Sequence, residues 1–226
     1  MTCPLTPAAP PGEALTEDAM ALAARYLESV VEDLDLCPYA RPSRRAGGVR
    51  MERIGSGHGA EHCAARVAEL AQDAAAEAIL LVFDLGPGDA RHDVRVFETF
   101  LREFQSLYRA SNAPAFYSVI FHPRIEERVS RTTPDSLIQV IRRAPVPMIQ
   151  CLRASVMEAV RAQAQSSARE RLASGAPSGG WALSDSVLSQ AVAQANFERC
   201  GEGDGRRELE ERLSALVVRP NDESTS

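Results

Sequence analysis

Residues 78–85 read AILLVFDL, an almost unbroken apolar run. A half-exposed strand alternates apolar and polar positions, and an amphipathic helix repeats every three or four. This run does neither, so it reads as a strand buried on both faces. A chain that contains such a strand must supply helices to cover a sheet. The rest of the sequence is organised accordingly.

Thr16 reads as the N-cap of a first helix, with Glu17 and Asp18 in its first turn. Its apolar positions from Ala19 to Leu34 recur at helical spacing. Gly47-Gly48 precede a short strand over 49–54, and a helix follows over about 60–76. After the apolar strand and a GPGD turn, a helix over about 92–109 aligns Val94, Phe97, Leu101, Phe104 and Leu107. AFYSVIF (115–121) is a third strand. Thr133-Pro134-Asp135 opens a helix through Arg142, and 148–152 form a fourth strand. Ser155 starts a helix to about 165, and two short helices lie near 186–198 and 205–217, with Gly201 stopping the first. The pattern predicts an α/β fold: about four strands alternating with helices, the sheet covered by helices, and C-terminal helices. The domain spans 15–217, flanked by disordered tails at 1–14 and 218–226, with a flexible insertion at about 166–186 around Trp181.

Apolar residues make up 45% of the 226 positions and charged residues 25%, as in ordinary globular proteins. The net charge of −6 argues against a nucleic-acid partner. The chain contains no lysine, which removes Schiff-base chemistry and the P-loop lysine. The five cysteines are widely spaced and form no CxxC, a reduced pattern. With neither a signal-peptide pattern nor a membrane-length apolar run, a cytoplasmic protein without a membrane partner is expected. The oligomeric state is open.

Candidate chemistry begins at LDLCPYARPSRR (34–45). Pro38 suits the first position of a new turn, which would make Cys37 an N-cap. Arg41, Arg44 and Arg45 would add positive potential, and both effects favour a thiolate. Simple packing of Cys37 is the competing reading. Cys-Pro is also a setting for thiolate ligation of haem iron, so haem stands as an alternative cofactor. His122 ends the third strand in IFHPR, where open α/β sheets place their ligands. It reads as an acid/base or ligand, or as a strand-end histidine bonded to a backbone carbonyl. HGAEH (58–62) fits a zinc-peptidase pattern, but its surrounding glycines argue for a loop. GSGHG reads as a plain turn, lacking the spacing and lysine of a phosphate loop. Arg142 and Arg143 precede APVP, and Arg153 follows the fourth strand. Rigid prolines suit an arginine that must aim its fork at an anion.

Taken together, these segments resemble the bacterial domain-of-unknown-function family 1415. That family shows L-C-P-[FY]-A, then F-H-P after a central strand, then N-R-S-P-Y-P-x-x-H-x-x-R-x-x-S-V. Here they read Leu36-Cys37-Pro38-Tyr39-Ala40, Phe121-His122-Pro123, and Arg142-Arg143-Ala144-Pro145-Val146-Pro147 followed by residues 148–156. Order and spacing agree over about 20–165, and Asn196 matches an R-N pair further on. The chain departs at Arg142, where the family has asparagine, and at Gln150, where it has histidine. A ligand role at position 150 therefore does not carry over. The resemblance implies no established activity, but it marks Cys37, His122, Arg143 and Arg153 as one signature.

The expectation is a small-molecule enzyme at the carboxyl edge of the sheet. Cys37 would be nucleophile or thiolate ligand, and His122 acid/base or second ligand. Arg143, Arg153 and Arg41 would hold a small anionic molecule, with Trp181 in a covering loop. The rivals are a non-catalytic carrier or sensor for an anion or haem, and an accessory subunit.

Overall fold

The computed structural model describes residues 18–126, 133–159, 162 and 186–216. The apolar run forms strand β2 (Ala78–Asp84), buried from Ala78 through Phe83. With β1 (Val49–Gly55), β3 (Phe116–Phe121) and β4 (Met148–Arg153) it builds a four-stranded sheet in the order β1-β2-β4-β3. β1 and β2 are parallel, and β4 lies antiparallel between β2 and β3. β1, β2 and β3 therefore run the same way. Their carboxyl ends share one edge with the start of β4, where Met148 lies opposite both Val82 and Phe121.

Helices cover both faces, which explains why β2 uses nearly every position. Ile79, Leu81 and Phe83 pack with α3 (Ala60–Leu70) and α4 (Val94–Arg109). Leu80 and Val82 pack with α1 (Ala19–Tyr26), α5 (Pro134–Ile141), α6 (Ser186–Cys200) and α7 (Gly203–Leu216). Alternation along the strand divides its side chains between the two layers.

Sequence alone predicts one continuous first helix and a third helix from about His92, and the structure differs at both. α1 continues as a π-helical segment, Leu27–Glu32. The wider turn adds a residue and brings Glu32 inward, where its side chain is 2% exposed. Asp93 caps α4 by accepting from the N–H groups of Arg95 (2.8 Å) and Val96 (3.2 Å), so the α-helix starts at Val94, after a 3₁₀ turn. α5 opens with Thr133 and Ser136 capping each other. Residues 154–159 are helical, as expected from Ser155. The tails at 1–14 and 218–226, Thr16 and Trp181 lie outside the described residues. Among the described residues no helix is long and apolar enough to cross a membrane.

Candidate functional site

Three loops leave the carboxyl edge of the sheet and a fourth enters it. A single guanidinium ties the first two together. Arg91, 6% exposed, follows β2 and donates to the carbonyls of Ser56 (2.8 Å) and His58 (2.8 Å) in the loop after β1. Its Nε and Nη2 grip Asp89 at 3.0 and 2.7 Å. That bidentate pair holds the Asp89 carboxyl down at about 2. The guanidinium also lies over the rings of Phe83 and Phe100, 5.5 and 5.3 Å from their centroids. Sequence reasoning missed Arg91. The only signal was an arginine just after an aspartate in a short turn, and that motif is usually solvated.

The Arg91 carbonyl then fixes His122. His122 Nε2 donates to it at 3.1 Å, and Nδ1 accepts from the Arg124 N–H at 3.1 Å. The ring lies 5.5 Å from Phe97, on the α4 side of the sheet, and is 1% exposed. Burial lowers its pKa to about 4, with smaller contributions from Arg124 and His92. The imidazole is therefore neutral at pH 7 with both nitrogens engaged by backbone. Of the two readings of His122 above, this geometry is that of the strand-end histidine.

The same loop reaches the arginine pair. The His122 N–H donates to the carbonyl of Arg142 (3.0 Å), the Ile125 N–H to that of His122 (3.2 Å), and Arg143 Nε to that of Ile125 (2.8 Å). Arg143 is thereby aimed through Nε, leaving the two terminal nitrogens of its fork. Arg142 ends α5 beside Tyr26, whose hydroxyl donates to the Ile141 carbonyl. Burial pushes the Arg142 pKa down and the Tyr26 pKa well up. Both arginines are half-buried, and among the described residues neither meets a carboxylate. The expected anion-holding residues were Arg143, Arg153 and Arg41, and Arg142 was not among them. Its burial comes from α1, a contact 116 residues away in sequence that leaves no local signal.

The other predicted site residues lie elsewhere. Leu36, next to Cys37, belongs to the core on the α1 side of the sheet, together with Phe121, whereas the His122 ring is on the opposite side. Both nitrogens of that ring are engaged by backbone groups, and the Cys37 thiol is half-buried. Cys37 is also not an N-cap. Helix α2 (Ala40–Arg45) starts after Tyr39, and it is the Cys37 carbonyl that accepts, from the Ala40 N–H at 3.1 Å.

Two of the three nearby arginines, Arg41 and Arg44, are paired with acids. Arg44 grips Glu32 at 2.6 and 2.8 Å, and Arg41 pairs with Asp33 at 3.0 Å and donates to the Glu32 carbonyl at 2.9 Å. Asn196 does meet this stretch, donating to the Leu36 carbonyl at 3.0 Å. Arg153 sits at the opposite, amino edge of the sheet, level with Phe116. It donates to the carbonyls of Ala76, Ala71 and Asp73 at 2.7, 2.9 and 2.8 Å. His58 and His62 stack with centroids 4.0 Å apart, His58 in the loop and His62 on α3, so HGAEH is not one helix. Among the described residues no group of three His, Cys, Asp or Glu side chains is placed to hold a metal ion.

A family model described as "Protein of unknown function (DUF1415)" matches residues 18–172. No curated protein and no solved structure matches the chain.

Proposed function

Because the chain belongs to the DUF1415 family, whose description assigns no activity, we propose its function from the carboxyl edge alone: it binds a small anionic molecule through Arg143 and Arg142. One observation carries this reading. Two arginines adjacent in sequence are half-buried there, Arg142 beside Tyr26 and Arg143 on the Ile125 carbonyl, without a carboxylate among the described residues. The contrast with Arg44, Arg66 and Arg91, each paired with an acid, is what makes the pair informative.

Withdrawing a cation from water without a counter-charge is unfavourable. The end of α5 offsets part of this for Arg142, through the helix dipole. An anion about 4 Å away would gain about 4 kcal/mol per charge at an effective dielectric constant near 20. The two terminal nitrogens of Arg143, without a partner among the described residues, match the paired oxygens of a carboxylate or phosphate. Binding rather than proton transfer is favoured, because the neutral His122 has both nitrogens engaged. The Cys37 thiol takes no part in this reading.

The test is thermal unfolding of the full chain in the presence of succinate and of inorganic phosphate. At a hundredfold excess over Kd, a bound ligand stabilises by about 2.7 kcal/mol. At least one of the two anions should do so for the wild type. Arg143→Gln and Arg142→Gln should each weaken binding about tenfold or more. Equal stabilisation of wild type and both variants, or none of the wild type, would overturn the proposal.

A further inference from the structure

The two edges of the sheet are built differently. β1 carries Arg50, Glu52 and Arg53, each engaged with a charged partner on a neighbouring element. Charge of this kind blunts an edge against pairing. β3 reads FYSVIF, with no charge, no proline and no glycine.

The ladder fixes which way its backbone points. Arg153 N–H donates to Glu77 and Phe83 N–H to Pro147, so the odd residues of β4 face β2. The Ala154 N–H donates to Ala115, so the even residues of β4 face β3. Antiparallel alternation then turns the N–H and C=O groups of Phe116, Ser118 and Ile120 outward. His122 also points outward and is met by the carbonyl of Arg142, which ends the open stretch. Among the described residues the one partner of these outward groups is Gln105, whose side-chain amide reaches the Ser118 carbonyl at 3.3 Å and hydroxyl at 3.0 Å.

We propose that the β3 edge pairs with β3 of a second copy of this chain, antiparallel about a two-fold axis at Ser118. In that register Ser118 faces its own equivalent and Phe116 faces Ile120 of the copy. All three outward residues then exchange N–H···O bonds. Tyr117, 50% exposed, lies across from Val119 of the copy on the α1 side of the sheet. The occupant is a second copy because self-pairing about an axis sets equivalent side chains close together, where any charge would repel. An uncharged strand meets that condition, whereas β1 does not.

Sedimentation of the full chain should give twice the chain mass of 24.5 kDa. Val119→Lys sets two cations near the axis, and Ser118→Pro removes an outward N–H that β4 does not use. Each should weaken association about tenfold or more. A wild type that stays at the single-chain mass, or variants that associate as the wild type does, would overturn the proposal. A monomeric wild type would leave the edge to a strand from a different protein. Hydrogen exchange needs no variant. In the wild type the amides of Phe116, Ser118 and Ile120 should exchange about tenfold slower in concentrated than in dilute solution, and equal rates would refute the pairing.

Discussion

His122 sits in the interior with both ring nitrogens bonded to backbone, so its charge is set by burial. Its folded pKa of about 4 lies below the ordinary 6.5. Between those values the unfolded chain takes up a proton that the folded chain does not. The stabilisation is therefore complete above about pH 6.5 and is lost as pH falls toward 4, a span of about 3 kcal/mol at most. Asp89, held at about 2, titrates below this window. Chemical denaturation across pH 4–7 should show that fall in the wild type, and His122→Gln should remove most of the slope. An unchanged slope in the variant would assign the titration to another group. The position of His122 was legible in IFHP, because a strand ends there and proline turns the chain. Its role was not. The partner is a backbone carbonyl 31 residues away, and a carbonyl carries no side-chain signal.

At the scale of elements, legibility followed periodicity. β2 could be read because a short run apolar at nearly every position and closed by a Gly-Pro turn suits a doubly covered strand, and α4 because its aromatic stripe repeats at helical spacing. The π-helical segment was hidden, since LESVVE has the composition of any helix and the wider turn is fixed by packing. That turn makes Glu32 the counter-charge for Arg44 and Arg41, so the basic cluster after Cys37 serves to dock α2. Hydrogen bonds from Arg44, then its charge, hold the Glu32 carboxyl below its ordinary range. Replacing it, Glu32→Ala, should cost about 1–3 kcal/mol in urea unfolding at pH 7. This is less than for a fully buried pair, because Arg44 is 38% exposed. A loss under about 0.5 kcal/mol would mean that the docking of α2 does not depend on this pair.

Across the whole molecule, strand order decides which predicted residues can cooperate, and one sequence does not display strand order. β4 runs against its neighbours, so a segment that begins beside Arg143 at the carboxyl edge delivers Arg153 to the amino edge. The strand's five steps separate the two levels by about 17 Å. The family-like spacing that joins Arg143 and Arg153 in sequence thus sets them at opposite ends of one strand. At the amino end, Arg153 holds three carbonyls around the close of α3 and lies 5.0 Å from the Phe116 ring centroid. Arg153→Ala strands those carbonyls and should cost about 1.5–3 kcal/mol. It should leave anion binding at the other edge unchanged. Arg143→Gln should do the reverse, weakening binding with little loss of stability, and the double variant should show both effects added, as for separated sites. Denaturation and anion titration on the three variants decide the matter. If Arg153→Ala weakened anion binding as much as Arg143→Gln, the two ends of β4 would have to act on one ligand, and the division of labour along the strand would be wrong.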